Sequence, residues 1–329
     1  MPESSKQPSG GSRATPEHLH MMMRMRRFEA LAAECYAAEK IRGFLHLYDG
    51  EEAVATGVIS LLKPEDRILG TYREHGHALA RGVEAKVILA EMFGKQEGCC
   101  KGRGGSMHLY AVVKNFFGGN AIVGSHLPHA VGMALADRRN QRKNITCCFF
   151  GEGAAAEGIF HEAMNLAGLL KVPVLFVLEN NRYAMGTALA FTHAQDDFSK
   201  KAEGYGIKSA IANGMDVESV LTAAEAAIAM VRETGLPFLL VSNTYRFRNH
   251  SMYDAGSYRT KSEVEEWKKL DPIPLLETTL RQQGLLDDTS LSVIRGSIET
   301  EMKQALEFAE QGTTEPTEQL TLHLYGTGN

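Results

Sequence analysis

Residues 145–186 read ITCCFFGEGAAAEGIFHEAMNLAGLLKVPVLFVLENNRYAMG, and no other stretch restricts the possible folds as tightly. Residues 145–150 are an apolar run of strand length, the pattern of a strand buried on both faces. The turn Gly151-Glu152-Gly153 follows, then small residues at helical spacing over about 155–170, a helix that Pro173 breaks. Residues 174–178 form a second buried strand, which ends in Glu179-Asn180-Asn181. Strand, helix and strand at this spacing make a βαβ crossover, whose strands lie parallel in one sheet with a right-handed connection. Parallel sheets need cover on both faces, so the fold class is α/β, a mostly parallel sheet with helices on both faces.

The crossover brings Glu152 and Asn181 to the same carboxyl edge, where open α/β sheets bind their ligands. Neighbouring strands lie about 4.8 Å apart, so both side chains reach one cation. A carboxylate, an amide oxygen and a free loop carbonyl are hard oxygen donors suited to Mg²⁺. Gly153, Ala154 and Ala155 offer bare N–H groups at a helix start, which suits a phosphate. A divalent cation beside such a helix start points to a diphosphate cofactor. Glycine serves any tight turn and Asn-Asn is common turn chemistry, so neither motif is specific alone. Their placement at both ends of one crossover is what carries the reading. A nicotinamide site would need G-x-G-x-x-G after the first strand, where GEGAAA stands instead.

The remaining composition narrows the class. A chain of 329 residues holds one large α/β domain or two small ones. Its net charge of −5, without a basic block, argues against nucleic acid. No apolar run reaches bilayer length, which argues against a membrane span. The five cysteines include two adjacent pairs, Cys99-Cys100 and Cys147-Cys148, neither at C-x-x-C spacing, so zinc is not expected. Cys147 and Cys148 read as reduced core residues on opposite faces of a strand. Residues 1–15, rich in Ser, Gly and Pro, read as a disordered tail lacking the marks of a secretory or transit peptide. A bacterial cytoplasmic location fits, and a mature organellar chain is the other option. Residues 16–329 read as one domain with helical extensions at both ends. Helical spacing is present over 18–39, 51–62, 85–93 and 217–234, a strand is predicted at 238–241, and a glycine-rich loop runs from 94 to 124.

The crossover resembles the signature of thiamine diphosphate enzymes, in which Gly-Asp-Gly is followed after a helix and strand by Asn-Asn. In detail it is similar to the α subunits of 2-oxo acid dehydrogenases, the pyruvate type above all. Segments matching that family recur in order: GFLHLYDGEE at 43–52, TYREHGH at 71–77, KGRGGSMH at 101–108, NFFGGNAIVG at 115–124, YRFRNHSM at 245–252 and SYR at 257–259. Together they span about residues 28–274.

The resemblance implies a thiamine diphosphate-binding fold and a set of roles. Glu152 and Asn181 would bind Mg²⁺ by side chain and Tyr183 by its carbonyl. Gly153, Ala154, Tyr72 and Arg73 would hold the diphosphate. Ala121 and Val123 would meet the aminopyrimidine. Arg246 and His250 would reach the phosphates or the substrate entrance, with His250 the first candidate for proton transfer or lipoyl orientation and His46 the second. The implied reaction is oxidative decarboxylation of pyruvate, with acetyl transfer to the lipoyl group of a dihydrolipoyl acyltransferase. The implied partner is a β subunit, in a heterotetramer of two α and two β chains. An acetoin or branched-chain α subunit, or a non-catalytic paralogue, are the alternatives.

Three departures from the family pattern bear on activity: Glu152 stands for Asp, and Asn249 and Ala121 each stand for Gly. Arg73, read without the resemblance, is a surface partner for Glu74. The loop over 246–259 is polar and reads as loosely held, and its Ser251 and Ser257 match positions phosphorylated in eukaryotic relatives.

Overall fold

The computed structural model describes residues 13–322. The tail read over residues 1–15 therefore lies outside the described residues up to position 12. Ala14, by contrast, is buried beside Leu19, Met22 and Leu221. Its neighbour Arg13 donates its backbone N–H to the Glu218 carboxylate at 2.9 Å.

Six strands form one sheet: β1 (Arg67–Thr71), β2 (Phe116–Asn120), β3 (Thr146–Gly151), β4 (Val174–Asn180), β7 (Lys208–Asn213) and β8 (Phe238–Asn243). The order is β2-β1-β3-β4-β8-β7, and every pairing is parallel. A separate hairpin joins β5 (Tyr183–Ala184) to β6 (Thr187–Ala188). Alternation along the central strands divides the core. Cys147, Phe149, Leu175 and Val177 enter one buried cluster, whereas Cys148, Phe150, Phe176 and Leu178 enter another. The first cluster packs under α1 (Pro16–Ala37), α2 (Glu52–Ile59), α3 (His75–Ala80), α4 (Ala85–Met92), α8 (Val217–Thr234) and α11 (Asp288–Gln311). The second lies under α5 (His126–Arg139), α6 (Gly158–Leu170) and α7 (Phe198–Glu203). The remaining helices α9 (Lys261–Lys268) and α10 (Pro272–Gln282) follow β8. None of the helices among the described residues is long and apolar enough to cross a membrane.

The crossover expected from sequence is β3-α6-β4, with Gly151 paired to Glu179 at its carboxyl end. The helix begins later than its spacing suggests. Residues Ala154–Ala156 form a short 3₁₀ turn, and Glu157, in extended conformation, interrupts the helix before Gly158. At the other end Lys171 adopts a left-handed conformation (φ 51°), so the helix closes before Pro173. The segment read as one long loop over 94–124 contains β2, an edge strand. Two glycines in FFGGN mask its strand character, and Gly119 lies so close to Glu74 that a Cβ there would fall 1.9 Å from a carboxylate oxygen.

The glycine-rich part of this segment has little apolar area to bury, and a carboxylate organises it instead. Glu91, fully buried at the end of α4, accepts four backbone N–H groups. Those of Cys100 and Gly102 reach Oε2 at 2.7 and 2.9 Å, and those of Gly104 and Gly105 reach Oε1 at 2.7 and 3.2 Å. Hydrogen bonds to a charged acceptor contribute more than neutral ones, and unsatisfied buried donors are costly. Glu91→Gln places an NH₂ group against two of these donors. It is expected to lower unfolding free energy by about 2–4 kcal/mol in urea titrations. A change under about 0.5 kcal/mol would show that the loop does not depend on this carboxylate.

Candidate active site

The chain passes from β1 out to β2 and then back across to β3, so the sheet has a topological switch point between β1 and β3. In open α/β sheets the crevice beyond the carboxyl ends at such a point is where ligands bind. A cavity of about 310 Å³ lies there. Its wall comes from strand ends: Tyr72 and Arg73 after β1, Asn120 of β2, Glu152, Gly153 and Ala154 after β3, Glu179 and Asn181 at the end of β4, and Arg246 after β8. Val123, Tyr183 and His250 complete it from loops.

Ten of the twelve residues expected at the site line this one cavity. Glu152 is buried, and its Oε2 accepts the backbone N–H of Asn181 at 3.0 Å, which fixes the two candidate cation ligands side by side. Burial raises the Glu152 pKa, against the opposing pull of Arg246 and Arg73. The 3₁₀ turn forms its own hydrogen bonds through Ala155 and Ala156, whereas Gly153 and Ala154 precede them and face the cavity. A Cβ on Gly153 would stand 3.0 Å from that of Ala184, so the turn packs closely on the β5–β6 hairpin. Tyr183 begins that hairpin, and its hydroxyl donates to Glu263 at 3.0 Å.

Two expected residues do not line the cavity. Ala121 is not part of its wall, while its neighbour Val123 is. His46 sits one layer behind, its ring centroid 4.5 Å from Tyr72 and 5.0 Å from His250. It packs against the two rings, and of the two histidines only His250 lines the cavity.

Arg73 is no surface residue. It is buried, and its guanidinium donates to the Leu47 and His250 carbonyls, both at 2.7 Å. Glu74 turns the other way and accepts the Leu109 amide at 3.1 Å. Arg246 is 2 % exposed and donates to Asn181 Oδ1 at 3.2 Å. It forms no ion pair within 4 Å among the described residues, and the nearest carboxylate atom to Arg73 is Glu51 Oε2 at 3.8 Å. Two buried guanidiniums facing one cavity with so little countercharge favour an anion between them.

Glu51, in the GFLHLYDGEE segment, joins the residues expected at the site, and its neighbour Glu52 does not. The two do different work. Glu52 holds Arg26 of α1 and accepts the Gly50 amide at 3.0 Å. Glu51 lines the cavity, accepts Asn181 Nδ2 at 3.2 Å, and is pushed up to about 8 by burial and by Glu179. Both are buried, and only their partners, Asn181 for Glu51 and Arg26 for Glu52, distinguish them.

The loop over 246–259 is laced with hydrogen bonds. Arg259 donates to the carbonyls of Arg246, Phe247 and Arg248, and Asp254 accepts from the His250 and Gly256 amides and the Tyr258 hydroxyl. The polar side chains that deny this segment an apolar core supply its ties. Asn249 is not left-handed, and its Nδ2 donates to the Asp254 carbonyl at 2.9 Å, so the expected strain is absent. Ser251 is half-buried and lies outside the main cavity, beside Arg248 and Asp254.

Fold and cavity together define an α/β enzyme whose site opens at the switch point of a parallel sheet. The chain belongs to the Dehydrogenase E1 component family, which matches residues 20–318. Among similar proteins is the pyruvate dehydrogenase E1 component subunit alpha of Rickettsia bellii, 40 % identical over 92 % of this chain and 93 % of that protein. The mitochondrial subunit alpha of Sminthopsis macroura is 41 % identical over 94 % of this chain and 85 % of that protein. The Rhizobium meliloti subunit alpha is 40 % identical over 88 % and 83 %.

Burial, with Arg73 and Arg246, lowers His250 to about 3, and burial, with Arg73 and His250, lowers His46 to about 2. Histidine in the unfolded chain titrates near 6.5. Between those values the unfolded state binds more protons, so the two rings contribute stability in full above about pH 6.5 and lose it as pH falls toward about 3. In the ligand-free chain both imidazoles are expected to stay neutral from pH 8 to pH 5 by NMR. Titration of either ring near its ordinary value would show that burial and the arginines do not control it.

Proposed function

We propose that this chain is the cofactor-binding α subunit of a pyruvate-type 2-oxo acid dehydrogenase, working with thiamine diphosphate and Mg²⁺. The observation that carries the reading is the pairing of two buried guanidiniums, Arg73 and Arg246, with the oxygen donors Glu152 and Asn181 on one cavity. Cations and hard oxygen donors side by side match a diphosphate bridged to a divalent ion. Glu152 and Asn181 would hold the cation by their side chains and Tyr183 by its carbonyl. The amides of Gly153 and Ala154, with Tyr72, Arg73 and Arg246, would hold the diphosphate. Val123 and the adjacent Ala121 segment would carry the organic end of the cofactor, which when bound supplies the electron sink for decarboxylation.

The chain's own residues then do three things. Buried strand ends and the β5–β6 hairpin exclude water from the phosphate end of the cavity. Arg73, by holding the His250 carbonyl, fixes the loop over the site. His250 faces the cavity as a neutral ring, held so first by burial and then by Arg73 and Arg246, and an anion beside the two arginines would offset their share of that depression. The names of the relatives support pyruvate as substrate, and the family resemblance implies a lipoyl group on a dihydrolipoyl acyltransferase as acceptor. It also implies a β subunit in an α₂β₂ assembly, and the apolar side chains Ile122 (74 % exposed) and Met185 (63 %) near the cavity need cover of that kind. The acetoin and branched-chain readings have no counterpart among the similar proteins reported above. The non-catalytic reading loses one of its three motives, because Asn249 is unstrained, and Glu152 and Ala121 leave each expected type of ligand in place.

With the β subunit present, Glu152→Ala is expected to abolish Mg²⁺-dependent binding of thiamine diphosphate in calorimetry and to remove pyruvate decarboxylation. Glu152→Asp, with the same charge and a shorter reach, should retain binding within about tenfold of the parent. Unchanged affinity in the Ala variant would remove Glu152 from the cation site.

A further inference from the structure

The turn organised by Glu91 carries an adjacent cysteine pair that the cofactor site does not use. Cys99 and Cys100 are both free and half-buried, unlike Cys35, Cys147 and Cys148, which are buried. One ligand atom from each of Glu91, Cys99 and Cys100 lies within 4.8 Å of the others, a spacing that suggests a metal. The carboxylate is not available for one. Each of its oxygens already accepts two backbone N–H groups, and drawing it onto a cation would dismantle the turn. What remains is two sulfurs on neighbouring residues, within 4.8 Å of each other.

We infer that Cys99 and Cys100 are a reversible oxidation site, a dithiol that peroxide converts to a disulfide between neighbouring residues. The proximity of the thiols supplies the geometry, and their partial exposure, against the burial of the other three cysteines, supplies the selectivity. The adjacent Cys99 thiol lowers the Cys100 pKa, which marks Cys100 as the attacking sulfur. Its thiolate attacks one peroxide oxygen, the O–O bond breaks, and the departing hydroxide takes a proton to leave as water. Cys100 is then a sulfenic acid. The Cys99 sulfur attacks the Cys100 sulfur, the S–S bond forms, and the S–O bond breaks. The leaving hydroxide takes the Cys99 proton as the second water. Two thiols lose two electrons and one peroxide gains them.

Neighbouring Cα atoms across a trans peptide are about 3.8 Å apart, closer than the usual span of a disulfide, about 4.4–6.8 Å. The ring is therefore strained, and strained disulfides are the readily reduced ones. The bond also alters the turn. Cys100 Sγ lies 3.2 Å from the His108 carbonyl as donor and 3.2 Å from the Tyr110 amide as acceptor. Oxidation removes the S–H and with it the tie to residue 108, whose ring contacts the Gly119 carbonyl of β2 at 3.2 Å.

The test treats the full-length chain with hydrogen peroxide, then alkylates it in denaturant and maps the peptides. The peptide carrying both cysteines should be lighter by two hydrogens, and the alkylatable thiols should fall from the five in the sequence to three. Dithiothreitol should restore all five. Cys100→Ser should slow the reaction at least tenfold, and Cys99→Ser should stop it at an oxyacid of Cys100. Oxygen added to the wild-type peptide, a disulfide joining two chains, or loss of Cys35, Cys147 or Cys148 would overturn the assignment. So would inertness at peroxide levels that oxidise glutathione.

Discussion

Burying a guanidinium costs several kcal/mol unless its charge is met, and this protein buries two at the carboxyl edge of its sheet. Arg73 is the more consequential. Its two bonds, to the carbonyls of Leu47 and His250, join the segment before α2 to the loop after β8 across the mouth of the cavity. Charge-assisted bonds of this kind contribute about 1.5–3 kcal/mol each, which offsets part of the desolvation, while the charge itself has only the Glu51 carboxylate, at 3.8 Å, within ion-pair range among the described residues. Arg246 repeats the arrangement from the other side through Asn181. The position of His250 and the anion preference of the cavity follow from these two side chains, which also add to the burial that keeps its ring neutral.

The supporting structure satisfies buried charge by the same means. Glu29 accepts from His75 at 2.9 Å and from the Tyr48 amide at 3.1 Å, and His75 in turn reaches Ser106 at 2.9 Å. Glu179 takes up both the Tyr48 hydroxyl and His77. These links run beneath the cavity from α1 through α3 to the glycine-rich turn, so the histidines of the TYREHGH segment are structural. Buried polar networks of this kind are stable only when nearly every member is satisfied. Buried acids and histidines gather accordingly at the starts of α2 and α3, where Glu51, Glu52, Glu74, His75 and His77 stand.

Much of this was legible in the sequence where local pattern and burial agree. The β3-α6-β4 crossover and α8 fell where their periodicity put them, because central strands and amphipathic helices write their burial into every second or fourth residue. The edge strands did not. In β2 the glycines that let the backbone approach Glu74 remove the apolar signal, and β7, KSAIAN, alternates around small residues. At the site, the motif residues, Arg73 among them, converged on one cavity. The place of Glu51 and His46, and the burial of Arg73 that its own neighbours in sequence do not reveal, were not legible for a common reason. Whether a charged or aromatic side chain near a strand end faces ligand, core or solvent depends on elements far away in the chain. For Arg73 the deciding contacts are 26 and 177 residues distant.

The central claim is that Glu152, Asn181 and the buried arginines form one cation-diphosphate site. Anomalous scattering from crystals grown with Mn²⁺ in place of Mg²⁺ and with thiamine diphosphate, in complex with the β subunit, tests it most directly. The expected result is a single metal peak at bonding distance from the Glu152 carboxylate, the Asn181 amide oxygen and the Tyr183 carbonyl, with the diphosphate between it and Arg73. A peak elsewhere, or a diphosphate bound without contact to Glu152 and Asn181, would contradict the account.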